Sequence, residues 1–127
     1  MRGKLMTKYF FDTYALVELY KGSPTYAKYK EEVKILLNKL NIQEFIYFLI
    51  REGKTSEIEE SFRLLGKFNV EYDNEILIKA AEIKFKYKDE RLSYVDCIGY
   101  YLAKKHKVKF LTGDSKFEDK ENVEFVR

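Results

Sequence analysis

The sequence predicts an α/β fold: a three-layer α/β/α sandwich around a mainly parallel sheet of about five strands. Three observations carry this. Short apolar runs alternate with longer segments of helical periodicity, the order that builds a parallel sheet with crossover helices. Glycine, proline and asparagine punctuate the chain between those segments. The chain is 127 residues long and 46% hydrophobic, enough for one domain with a real core.

Residues 1–7 have no periodicity and read as a loose leader to a single domain spanning 1–127. Tyr9–Asp12 is a short buried strand, and Thr13–Tyr20 a helix closed by the turn Gly22-Ser23-Pro24. Thr25–Glu32 reads as a polar helix, and Lys34–Asn38 as a buried strand through Ile35, Leu36 and Leu37. Asn41 is the expected N-cap of the next helix, with Glu44 three residues on completing a capping box. That helix runs to Glu52 and stops at Gly53; another covers Ser56–Leu65 and ends at Gly66. Phe68–Tyr72 is expected to be a strand, Asn74–Lys88 and Ser93–Lys105 helices, and Val108–Leu111 and Val123–Val126 the last strands. Among the aromatics, Phe45, Phe48, Phe62 and Phe85 fit helix-packing positions, and Tyr26, Tyr29 and Tyr47 are candidates for an interaction surface.

Four carboxylates stand at the edges of these apolar elements: Asp12, Glu44, Asp96 and Asp114. Three have local explanations. Asp12 can cap the helix at Thr13, Glu44 can close the capping box, and Gly113-Asp114 is ordinary turn chemistry. Asp96 falls on the helical face of Leu92, Val95, Gly99, Leu102 and Ala103, where a carboxylate needs a partner. In a parallel sheet, ligands bind at the carboxyl ends of the strands. Asp12 and Asp114 follow two such ends, and Glu44 follows a third. Converging carboxylates repel unless a cation joins them, so the set points to a divalent-metal site.

Composition narrows that site. One histidine, His106, and one cysteine, Cys97, leave oxygen ligands, which select Mg²⁺ or Mn²⁺ over zinc. The lone cysteine excludes an internal disulfide framework and fits a reducing compartment. No apolar run approaches the roughly 18 residues of a membrane span, and the N-terminus lacks a signal-peptide core; a cytoplasmic protein is expected. Setting the four acids aside leaves 24 basic side chains against 17 acidic ones. An acidic pocket on a basic surface suits a phosphodiester substrate. The run Lys104-Lys105-His106-Lys107 complements a helix C-terminus, and Lys104, Lys105 and Lys107 are also candidate RNA contacts.

Four segments resemble the motifs of PIN-domain ribonucleases, specifically the VapC toxins of toxin–antitoxin pairs. They are Tyr-Phe-Phe-Asp-Thr-Tyr-Ala-Leu (9–16), Asn-Ile-Gln-Glu-Phe (41–45), Leu-Ser-Tyr-Val-Asp-Cys (92–97) and Phe-Leu-Thr-Gly-Asp-Ser-Lys-Phe (110–117). Their order and spacing carry the likeness, which spans the chain from about Lys8 onward. The resemblance implies a PIN-like fold and an Mg²⁺- or Mn²⁺-dependent endoribonuclease in which metal-activated water hydrolyses an RNA phosphodiester. It places Asp12, Glu44, Asp96 and Asp114 as the metal-holding catalytic quartet, with Thr112 orienting Asp12 and Thr13 assisting. It further implies a VapB-like antitoxin partner and a homodimer. The departures are Cys97, where relatives carry alanine, and Lys116, where some carry a further acid. The alternatives are a PIN-domain nuclease of RNA processing outside a toxin system, and a non-catalytic PIN-like module that binds RNA or protein.

Overall fold

The computed structural model describes residues 6–127. Most of the expected leader lies outside the described residues, and Thr7 already belongs to a strand. The elements are β1 (Thr7–Phe11), α1 (Thr13–Lys21), β2 (Val33–Leu36), α2 (Lys39–Arg51), α3 (Ile58–Leu65), α4 (Glu75–Lys86), α5 (Tyr94–Lys105), β3 (Lys109–Thr112) and β4 (Val123–Phe125), joined by short 3₁₀ turns. The strands form one parallel sheet in the order β2-β1-β3-β4. Phe10 pairs with Leu36 on one side and Phe110 on the other, and Phe11 with Leu111.

Strand alternation builds both faces of the sandwich. Phe10 and Phe110 point into a core with Ile76, Ala80, Ile98, Leu102 and Ala103 from α4 and α5. Phe11 and Leu111 point the other way, into a core with Ala15, Leu16, Ile42, Phe45 and Leu49 from α1 and α2. Helices therefore cover both faces, as three layers require. Gly99 lets α5 lie directly on the sheet: a Cβ there would stand 2.9 Å from the Phe10 ring and 3.1 Å from that of Phe110.

Four expectations are corrected. The strand expected at Phe68–Tyr72 is a single parallel bridge between Leu37 and Asn69, with Leu37 N–H donating to the Phe68 carbonyl and Val70 N–H to that of Leu37. Its partner chain turns into the cap of α2 at Asn38, so the pairing has nowhere to continue, and among the described residues the sheet has four strands rather than about five. The expected polar helix at Thr25–Glu32 is a 3₁₀ helix over Pro24–Lys30, whose three-residue repeat puts Tyr26 and Tyr29 on one buried face. Those two rings therefore line the core, and only Tyr47 of that trio is exposed. Phe62 and Phe85 are exposed rather than packed. Finally, α2 begins one turn earlier than expected. Asn38 is its N-cap and Asn41 is the reciprocal N3 residue, so the capping box is Asn38–Asn41 and Glu44 has no part in it.

Candidate active site

β1 and β3 run parallel and end side by side, so the residues just beyond the two strands meet at one edge. Asp12 comes directly after β1. Its Oδ1 accepts from Ala15 N–H at 2.8 Å as the N-cap of α1, and its Oδ2 accepts from the Thr112 hydroxyl. Thr112, the last residue of β3, uses the same oxygen to accept from Asp114 N–H at 3.0 Å. One buried hydroxyl thus ties the first and last carboxylates of the set together. Asp114 is itself a cap, its Oδ1 accepting from Lys116 N–H.

Between Thr112 and Asp114 sits Gly113. A Cβ there would lie 2.2 Å from the Tyr14 ring and 2.4 Å from the Val126 carbonyl, so only glycine passes between α1 and the end of the chain. Nearby, the Tyr26 hydroxyl donates to that same Val126 carbonyl, and burial raises the Tyr26 pKa, with the Asp12 charge adding to the effect.

Asp96 enters from the start of α5, which opposes the strand ends. Its apolar neighbours in the sequence suggest no local partner, but it has one. Ser93 caps the helix, with the Ser93 hydroxyl accepting from Asp96 N–H and Asp96 Oδ2 accepting from Ser93 N–H, both at 3.0 Å. The carboxylate is half-buried rather than set amid a sealed stripe. Glu44, in the second turn of α2, is not among the charges that act on Asp12 or Asp96; it is tied to Thr13, the residue after Asp12, which donates to Glu44 Oε1 and accepts from Asn41 Nδ2.

The electrostatics show which acids converge. Burial pushes the Asp12 carboxyl up to about 8, against the opposing hydrogen bonds from Thr112 and Ala15. The charges of Asp96 and Asp114 press the same way. Asp96 is likewise raised, first by burial and then by Asp114, while Ser93 and Lys116 oppose. Asp12, Asp96 and Asp114 therefore form one interacting cluster, to which Thr112 is bonded. Among the described residues, no three acidic, His or Cys side chains are arranged to hold a metal ion unaided.

Two further contributors were not foreseen. Asn41 positions Thr13 and Lys116 opposes the Asp96 shift. The spacing Asn38-x-x-Asn41 carried a signal for the first; nothing local in the sequence marked the second. The structure does not bring Lys104, Lys105 and Lys107 to the site. They lie at the far end of α5, where Lys104 pairs with Glu121 at 3.1 Å and Lys107 lines a hollow with Lys8 and Lys109 beside the strand starts.

Among the described residues no helix is long and apolar enough to cross a membrane. Similar folds occur in solved structures. A toxin–antitoxin complex from Klebsiella pneumoniae matches with a TM-score of 0.73 at 18% identity, over 91% of this chain and 94% of that one. VapBC2 from Rickettsia felis, bound to a DNA fragment from its promoter, matches at 0.70 and 14% identity, over 95% and 100%. PAE2754 from Pyrobaculum aerophilum matches at 0.64 and 20%, over 94% and 91%. No curated protein matches the sequence. The PIN domain model matches residues 9–123, nearly the whole of the chain. With the parallel sheet and the acidic strand edge in place, the chain belongs to the PIN-domain family.

Proposed function

We propose that this protein is a divalent-metal-dependent endoribonuclease and the toxin of a type II, VapBC-like pair, working in the cytoplasm. The observation that carries the reading is the Asp12–Asp96–Asp114 cluster. A buried carboxyl held near 8 by burial and two neighbouring acids is a poor structural device and a good cation ligand.

The donor set fits Mg²⁺ or Mn²⁺. Every donor is a carboxylate oxygen, the hard ligand type that Mg²⁺ and Mn²⁺ prefer, and because Mg²⁺ keeps several of its waters some of these acids would act through them. Asp12, Asp96 and Asp114 would hold it, and Glu44 would orient water. Bound there, such an ion stabilises charge on the phosphoryl oxygens and lowers the pKa of water. The chain's own residues prepare the site. Thr112 fixes the rotamer of Asp12 and the backbone of Asp114, Ser93 fixes Asp96, and Thr13 with Asn41 fixes Glu44. Anchored carboxylates spend little entropy on meeting an ion.

An apolar groove between α1, α2 and α3, lined by Leu16, Leu19, Tyr20, Phe45, Leu64 and Leu65, supports an antitoxin partner that inserts an apolar segment. The fold likeness to two toxin–antitoxin complexes agrees with it.

The test is cleavage of single-stranded RNA in Mn²⁺, Mg²⁺ or EDTA, with Asp96→Asn alongside. Asparagine keeps an oxygen for Ser93 N–H, so the fold should hold while cleavage falls by at least 100-fold. Metal-independent cleavage, or an Asp96→Asn protein that cleaves normally, would refute the reading. A non-catalytic RNA- or protein-binding module would show no cleavage and no Mn²⁺ heat by calorimetry.

A further inference from the structure

We infer that the groove between the end of α4 and the start of α5 is the track that carries single-stranded RNA to the acidic cluster. The inference rests on the ribonuclease reading and adds to it the surface that holds the substrate. The groove encloses about 370 Å³, and its lining includes Lys84, Phe85, Lys88, Arg91, Leu92 and Tyr94. Cations and aromatic rings make up most of that lining, and it contains no acid. Among the described residues, no ion pair engages Lys84, Lys88 or Arg91, and the nearby Glu90 is occupied by Lys120.

The side chains are arranged as a stacking surface. Lys84 lies 5.0 Å from the centre of the Tyr94 ring and donates to the Leu92 carbonyl, which holds it in place. Lys88 lies 4.7 Å from the centre of the Phe85 ring. Both rings are well exposed. Exposed rings flanked by cations suit unpaired bases with phosphates alongside, and duplexes offer no free base faces.

The groove is also joined to the site. Tyr94 opens the first turn of α5, the turn that carries Asp96 on a different face of the helix. Lys116, next but one to Asp114, donates its ammonium to the Arg91 carbonyl at 3.2 Å. Arg91, held at a positive φ of 58°, a conformation that costs a non-glycine residue energy, lines the groove at this junction. A strand lying along the groove is led past Arg91 and Lys116 toward the turn that carries Asp114.

Anisotropy of a fluorescein-labelled single-stranded RNA decamer in EDTA, across a salt series, tests this. Lys88→Gln/Arg91→Asn removes two charges, and asparagine tolerates the left-handed backbone. The control, Lys105→Gln/Lys107→Asn, removes two charges from the far end of α5. The groove variant should bind about tenfold more weakly, with a salt slope shallower by about 1.4, the value of two lost phosphate contacts on a single strand. Tyr94→Ala should cost about fivefold for single strands and leave duplex RNA binding unchanged. The far-end control should match the parent protein. Equal losses in both charge variants, or no loss in the groove variant, would overturn the inference while leaving the nuclease reading standing. Groove-dependent binding by a parent protein that cleaves nothing in Mn²⁺ would do the opposite, sinking the nuclease reading and keeping the track.

Discussion

At the scale of single residues the site turns on Asp12. Its carboxyl is ordinary in the unfolded chain and sits near 8 in the folded one, so the folded state holds the proton more tightly. The stability this group allows is fully present below about pH 4, where both states are protonated. It is lost as pH rises toward 8, with a limiting slope of ~1.4 kcal/mol per pH unit. Asp12→Asn removes that loss, because the amide oxygen can still accept from Ala15 N–H and the Thr112 hydroxyl can turn to accept from the amide. In EDTA, melts should show the variant more stable than the parent at pH 8 and the gap closing as pH falls to 4. Mn²⁺ should stabilise the parent more at pH 8 than at pH 5 and the variant at neither, since the ion competes with the proton for Asp12. A melt difference that does not change with pH would show that Asp12 is not the titrating group. Thr112→Val gives the complementary case. It strips one donor from Asp12 and one acceptor from Asp114 N–H at a buried position, at about 1–3 kcal/mol of stability. Calorimetry should show weaker Mn²⁺ binding, because losing a hydrogen bond to the charged form raises Asp12 further.

Elements decide which residues can act together, and here the sequence was legible in part. The strand-end positions of Asp12 and Asp114 come from two short apolar runs, and the parallel pairing of β1 with β3 then makes them neighbours. The roles of Asp96 and Glu44 were less legible. Ser93-x-x-Asp96 is a readable capping pattern, but the apolar neighbours of Asp96 drew attention to its burial instead. At α2 two asparagines competed for the cap. Asn38 won because the chain leaves β2 extended, at φ −135° and ψ 160°, and folds into helix immediately. A local pattern cannot rank two such caps; the end of the preceding strand does. The same limit explains the lost strand near Asn69, whose alternation of Phe68, Val70 and Tyr72 with polar residues is real but whose partner ends at Leu37. Gly113 shows the opposite case, a residue whose importance is tertiary alone. Gly113→Ala must displace Tyr14 or the last strand to make room. We expect a loss of about 1–3 kcal/mol by denaturant melts, with Mn²⁺ affinity falling in step because Asp114 moves with it. Intact metal affinity in this variant would show that the Asp114 loop adjusts independently of the site.

At the scale of the whole molecule the surface is unevenly finished in a second place: beside Ala81, α4 presents Leu77 and Ile78 at 60% and 62% exposure. Large apolar side chains clustered on one helix face mark an interaction surface. The helix is short, but two copies of it crossing about a two-fold axis would bury the same residues on both chains, the self-complementary arrangement of a homodimer. We therefore expect the protein to sediment as a dimer at micromolar concentration. Leu77→Glu/Ile78→Lys should convert it to a monomer. Because both side chains are largely in water within one chain, the substitutions should leave the circular dichroism spectrum unchanged, and any change in stability should track only the lost association. The positions of Ile76 and Ala80 on the same helix supply the contrast. They are buried against α5 and the sheet, so polar substitution there should unfold the chain rather than split a dimer. A protein that sediments as a monomer before any substitution would leave the α4 face to a different partner, and a dimer that survives Leu77→Glu/Ile78→Lys would place the interface elsewhere on the molecule.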